Sequence, residues 1–240
     1  MNRSQLLVRK SSYYFAFFLL LAFIAFWPKY FSIILASQPL LIHAHGISMI
    51  LWCLSLIIQP YLIKTNRLKI HRMVGKASYL LVPFFIISTL LLVYSILSPA
   101  IRLTSGHYYF FTLVFNALLA FGILYGLAVY HRKESAIHAR FMICTVLTMI
   151  TPVTDRLIYR YFRFIIEYVP RIDQIPVVPV AGFLLADLIL LGLIIYDWRH
   201  SKGNYAFIVA LTIMLGYHIS VLTFYQYGFW QAFTQWYLSL

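Results

Sequence analysis

The chain is poor in acid: its 240 residues hold six Asp and Glu against nineteen Lys and Arg, only two cysteines, and no Gly/Ser-rich or low-complexity tract. Each scarcity excludes something. Cys53 and Cys144 both sit in apolar stretches, so no disulfide framework follows and both read as apolar filler. There is no HExxH, CxxC, GxSxG or phosphate-binding glycine loop, so protease, thiol-redox, serine-hydrolase and P-loop chemistry lack their parts. No lysine lies in the last long apolar stretch, which removes the anchor of a retinal Schiff base. With no long linker and no soluble stretch, residues 1–240 read as a single bundle.

Apolar residues dominate instead: 62% hydrophobic, 18% aromatic, 10% charged, with a mean hydropathy of +0.84. Soluble domains do not have that composition. Seven stretches are long enough, or nearly so, to cross about 30 Å of hydrocarbon as helices, at about 12–35, 41–63, 77–98, 107–130, 138–158, 176–197 and 205–228. The expected fold is therefore all-α, a polytopic seven-transmembrane-helix bundle in contact with the lipid bilayer. The first stretch follows a basic segment and could be taken for a signal peptide. Its apolar run is long, is interrupted by Pro28 and precedes no small-x-small site, so it reads as a retained helix.

A net charge of +13 might suggest nucleic acid, but the placement of the charge argues for membrane topology. If the N-terminus is inside, the inner segments hold Arg3, Arg9, Lys10, Lys64, Arg67, Lys69, Arg72, Lys76, Arg132, Lys133, Arg140, Arg199 and Lys202. The outer ones hold only Lys29, Arg102, Arg156, Arg160, Arg163 and Arg171. This asymmetry fits the positive-inside rule with the C-terminus outside. The basic stretch Lys64 to Lys76 then reads as a loop against anionic headgroups, with no role for nucleic acid.

Polar residues inside the spans carry the functional signal, because hydrocarbon penalises unpaired polar groups. In the second span His45, Met49, Trp52, Leu56 and Gln59 share one helical stripe, with Ile47, Ile50, Leu54, Ile57 and Ile58 roughly opposite. In the fifth, His138, Met142, Thr145, Met149, Pro152 and Arg156 share a stripe, with Ala139, Ile143, Val146 and Ile150 facing away. The two polar faces are expected to meet inside the bundle. His43 points about 160° from His45 on a regular helix, so the two do not easily serve one site. His43, His131 and His200 read as interfacial or carbonyl-capping residues, and His107 as a residue of the outer end. Depth places His71 and His138 at the inner end. Imidazoles from different helices at one depth are what a bundle-held haem or metal requires.

Asp187, the one acid deep in a span, lies at a depth comparable with His218, and the two are expected to pair as a proton relay or an interhelical lock. Asp155 with Arg156, and Asp197 with Arg199, read as ion pairs at span ends. Asn116 reads as an interhelical hydrogen bond and Gly122 to Gly126 as a close-packing face. Arg156, Arg160 and Arg163 suggest a fifth helix that continues out of the membrane and ends by Pro170. The Trp- and Tyr-rich tail from Trp230 to Leu240 reads as an interfacial anchor.

The segments His43-Ala-His45-Gly46 with Trp52, Gln59 and Leu62, then Leu68-Lys-Ile-His71-Arg72-Met-Val-Gly75, His138-Ala-Arg140-Phe-Met142, and Asp187 with Asp197-Trp-Arg199 resemble a group of uncharacterised bacterial integral-membrane proteins. The resemblance extends from about Ile42 to Lys202. It is also distantly similar to other membrane families with a helix histidine, a glutamine and a following His-Arg-x-x-Gly loop. The resemblance implies a bacterial cytoplasmic membrane and a shared pattern of His45, His71, Arg72, Gly75, His138, Arg140 and Arg156, outside which His107, His131, His200 and His218 fall. In that group the position of Asn116 is often aspartate. Gly75 is expected to permit a tight start to the third helix. No activity follows from the group.

The leading expectation is a protein that binds haem b, or a transition metal, in a redox or cofactor-handling role. His45 would be an outer ligand and His71 with His138 an inner pair, as two separate sites, since His45 and Gln59 alone are about 21 Å apart along a helix. The alternative is a transporter, or an accessory subunit of a membrane complex, with partner subunits or a second copy against its polar faces. A lipid-acting metalloenzyme is the third reading, and only Asp197 or Glu134 could give it an inner carboxylate.

Overall fold

In the computed structural model, residues 3–36, 38–200 and 205–240 are described, with side chains from Lys10 onward. The expected charges at Lys202, and on the side chains of Arg3 and Arg9, lie outside the described residues. The helices are α1 (Arg3–Phe26), α2 (Leu40–Lys64), α3 (Leu68–Leu97), α4 (Ser105–Tyr130), α5 (Ser135–Cys144), α6 (Ile150–Tyr161), α7 (Pro179–His200), α8 (Ala206–Thr223) and α9 (Gly228–Leu238). Five residues of 3₁₀ helix, Thr145–Met149, join α5 to α6, so the pair forms one long broken span. Seven spans are long and apolar enough to cross a membrane, which suggests an integral membrane protein.

Neighbouring helices in the chain pack side by side, α1 on α2, α2 on α3 and α3 on α4; α4 then meets α8, α8 meets α7, and α7 returns to α1. Inside this ring of six runs α5–α6, packed on α1, α4, α7 and α8. Burial marks it as the centre. Of its apolar window 61% is buried, against 17% to 39% for the other six spans.

Threonine recurs every third residue through the break, at 145, 148, 151 and 154, which matches the three-residue turn of a 3₁₀ helix. The Thr145, Thr148 and Thr154 hydroxyls donate to the carbonyls of Met142, Thr145 and Thr151, so polar groups are satisfied locally where the spiral tightens. Each 3₁₀ residue turns about 20° more than an α residue, so five of them rotate α6 by roughly 100° relative to a continuous helix. The expected stripe from His138 to Arg156 is therefore split. Val146 and Ile150, expected to face away, are buried, because this span has helices on every side there.

Other boundaries also differ from expectation. The third helix starts at Leu68, so the basic stretch is helix except for a three-residue turn at Thr65, Asn66 and Arg67, with Asn66 left-handed at φ 57°. Gly75 lies two turns inside α3, not at its start, and faces Gln59. The first helix ends at Phe26, two residues before Pro28. Arg156 and Arg160 lie on α6, which stops at Tyr161, and Arg163 opens a 3₁₀ turn beyond it. The tail is a packed helix and not a simple interfacial anchor. Trp230 is buried and donates its indole N–H to Thr112 Oγ1 at 2.7 Å, Tyr237 reaches the Leu90 carbonyl, and Trp236 stays exposed. Gly122 and Gly126 face open space, so they make no close contact within the chain.

Two other glycines do mark close approaches. A Cβ at Gly46 would meet the Tyr30 ring at 2.8 Å. A Cβ at Gly182 would meet Thr154 Oγ1 at 2.6 Å and Thr151 Cα at 3.0 Å, so α7 nests on the threonine ladder only because it carries no side chain there. Gly182→Val is expected to lower stability in detergent by about 1–3 kcal/mol through overpacking. Gly192→Ala, with nothing within 4 Å, should leave the unfolding midpoint unchanged or raise it.

Candidate functional site

The central span leaves one side of the ring unfilled. Between α5 and the α2–α3 pair lies a cavity of about 1410 Å³, with α1 and α4 completing its walls. Its lining runs on α2 from Trp52 to Lys64, about 18 Å at helical rise, and on α5 from Ser135 to Ile143. Phe15, Trp52 and Tyr125 are at the deep end, where the Trp52 and Tyr125 rings meet edge to face at 5.6 Å. Charged residues stand at the other end, which we call the basic end. Only part of each expected stripe meets across this space, Trp52, Leu56 and Gln59 from the second span and His138 and Met142 from the fifth, and Ala139 and Ile143, expected to face away, line it too.

Three buried polar atoms on the lining residues have no hydrogen-bond partner: Trp52 Nε1, Gln59 Oε1 and His71 Nδ1. Each costs free energy as it stands. The rest of the wall is fixed. Gln59 Nε2 donates to the His71 carbonyl at 3.2 Å, tying α2 to α3, and Ser78 Oγ and Tyr125 OH share a 2.7 Å bond that ties α3 to α4. His138 places Nδ1 2.7 Å from the Ala128 carbonyl. A carbonyl only accepts, so Nδ1 carries the proton of this bond, and the ring is fixed with Nε2 as its free nitrogen.

Arg140 also lines the cavity, but its charge is already matched. It makes a two-pronged contact with Asp197, Nε to Oδ2 at 2.6 Å and Nη2 to Oδ1 at 2.7 Å, and donates from Nη1 to the Ala136 carbonyl. Both side chains are 2% exposed. The expected pairing of Asp197 with Arg199 gives way to this buried bond, which holds α5 against α7.

The remaining residues of interest are elsewhere. His45 lies near the opposite end of α2, outside the cavity, with Nδ1 3.1 Å from Thr89 Oγ1 and its ring stacked on Phe85. It joins neither His71 nor His138. His43 faces the other way, 3.4 Å from the Tyr30 hydroxyl, whose proton burial holds more tightly than usual. Arg156 places its guanidinium 4.1 Å over the Phe26 ring and donates to the Pro152 carbonyl at 2.8 Å, while Asp155 Oδ1 lacks a partner, so the expected Asp155–Arg156 bond is not made. Asp187 and His218 do pair, Oδ2 to Nδ1 at 3.1 Å, with His218 stacked on Phe183 at 4.2 Å. Asn116 donates to Ser220 Oγ at 2.7 Å. His107 accepts the Thr104 N–H at the start of α4, His131 bonds Glu134 at 2.7 Å, and His200 bonds the Tyr196 carbonyl.

Of the expected site residues, the cavity gathers His71, His138, Gln59 and Arg140, and leaves out His45, Asn116, Arg156, Asp187 and His218. It adds Tyr125 and Ser78, which carry no mark in the sequence, and Trp52, which lies on the second-span stripe. Among the described residues no three His, Cys, Asp or Glu side chains stand together as metal ligands. Comparison with family models, with curated proteins and with solved structures finds no match.

Breaking the Arg140–Asp197 bond by Arg140→Ala should cost about 3–5 kcal/mol, because it strands a buried carboxylate. Arg140→Met with Asp197→Leu should restore most of the loss. Chemical unfolding in detergent measures both, and an Arg140→Ala variant as stable as the parent would show that the bond contributes nothing.

Proposed function

We propose that this chain is an integral protein of a bacterial cytoplasmic membrane that binds an amphipathic cofactor in the cavity between α5 and α2–α3, with haem b the first candidate. The observation that carries the reading is the convergence on one cavity of three unpartnered buried polar atoms and two histidines from different helices. A metal ion held by protein side chains alone would need more donors than the described residues bring together. Haem needs fewer, since the porphyrin supplies four nitrogens and asks the protein for one or two axial ligands.

His138 would hold the iron through Nε2, with its Nδ1–H fixed by the Ala128 carbonyl, and His71 would be the second ligand. Trp52 and Tyr125 would bound the porphyrin edge, and the Trp52 indole N–H and the Gln59 carbonyl oxygen offer polar contacts. Bound there, haem supplies one-electron chemistry within the membrane. The chain's own part is to orient the ring, exclude water and keep the imidazoles in the ligating tautomer.

A second reading, a transporter of a small amphipathic molecule or an accessory subunit that presents one, is favoured by the 3₁₀ break in the central span, since such breaks mark hinges. It uses the same cavity without an axial ligand.

The protein purified in maltoside should show a Soret band, or acquire one on titration with haemin. His71→Ala and His138→Ala should each weaken binding roughly tenfold or more and change the spin-state bands, while His107→Ala should do neither. A flat visible spectrum after titration, with no iron in the same sample, would sink the cofactor reading and leave the transporter.

A further inference from the structure

The mouth of the cavity has an unusual charge balance. Lys64 at the end of α2, Arg72 and Lys76 on α3 and Arg132 just after α4 all line it, and no Asp or Glu is in the lining. All four are exposed. The two acids at this end of the bundle are already taken, Glu134 by His131 and Asp197 by Arg140. Among the described residues no ion pair is made by any of the four cations. Lys69 and Arg67, equally basic and in the same stretch, do not line the cavity. The charge at the mouth is thus more than a general excess of positive residues at one end.

Like charges around one opening repel, and nearby low-dielectric walls strengthen the field they set up. An anion placed among them relieves that repulsion. Arg72 spends one donor on the Leu68 carbonyl of its own helix and Arg132 one on the Val129 carbonyl at the end of α4, both keep other N–H groups for a ligand, and the two lysines supply ammonium groups on flexible stems. Deeper in, the walls turn aromatic.

We infer that this mouth is a subsite for the acidic head of the cavity's ligand, which enters with its apolar body toward Trp52 and its carboxylates or phosphate held by Lys64, Arg72, Lys76 and Arg132. This rests on the cavity being a binding site and sharpens it: the ligand is an amphipathic anion, such as the propionate edge of haem or the headgroup of an acidic lipid.

The test compares the parent protein with the double variant Arg72→Gln/Lys76→Gln and with the control Arg67→Gln/Lys69→Gln, which loses the same charge away from the cavity. Haemin and its dimethyl ester are titrated into each, and native mass spectrometry reads retained phosphatidylglycerol against phosphatidylcholine. Thermal unfolding confirms that the variants remain folded. The subsite predicts that the parent binds haemin at least tenfold more tightly than the ester, and that only Arg72→Gln/Lys76→Gln erases the difference. If both porphyrins bind alike in every protein, the cofactor reading stands and the subsite is overturned. If neither porphyrin binds but phosphatidylglycerol is retained and released only by the mouth variant, the subsite stands and the haem reading falls. No porphyrin binding and no lipid preference, or equal effects of the two double variants, would overturn the subsite.

Discussion

A helix surrounded by other helices has no outward side on which to leave a polar group, so every hydroxyl and charge along residues 140–154 must be matched from within. The fifth span meets that demand in two ways. Thr145, Thr148 and Thr154 bond to carbonyls of their own span, and Arg140 takes the one carboxylate that α7 offers at that depth. The first accompanies the tighter spiral, and the second fixes α5 against α7. The ring of outer helices is arranged around this pillar, and its α2–α3 side is where the packing stops short.

That gap is where His71, His138, Gln59 and Arg140 come together. Its lining carries Trp52, Gln59 and His71, each with a buried polar atom that no protein group satisfies. Unpaired polar atoms in a bundle of this composition are destabilising on their own, which is the physical reason to read the space as a place for a guest.

Much of the architecture was legible in the sequence. Hydropathy located all seven spans, the stripe from His45 to Gln59 marked the inward side of α2, and the depth argument paired Asp187 with His218. What escaped has definable causes. Residues Leu68 to Lys76 carry three Lys and Arg and a histidine, so hydropathy reads them as loop although they are helix. A 3.6-residue period cannot register a 3₁₀ insertion, so His138 and Arg156 were placed on one face. Asp197 lies two residues from Arg199 in the chain, and only the tertiary arrangement shows that its partner is Arg140, 57 positions away. Within the site, His71, His138 and Gln59 were legible through their polarity in apolar runs, whereas Ser78 and Tyr125 are ordinary residues until the walls are assembled.

The turn between α2 and α3 is three residues long, and these two helices lean on α1 and α4, not on the pillar. One wall of the cavity is therefore a pair of rods joined by a short turn, with Trp52 and Phe85 packed on Phe121 of α4. Displacing that pair would cost the Ser12 bond to the Ile57 carbonyl on the α1 side and the Ser78–Tyr125 and Trp52–Tyr125 contacts on the α4 side, whereas moving the pillar would break the Arg140–Asp197 ion pair. Each wall of the cavity is thus braced from outside it, the α2–α3 pair by α1 and α4 and the pillar by α7, so its width is set by two independent sets of bonds while His138 on α5 keeps its position.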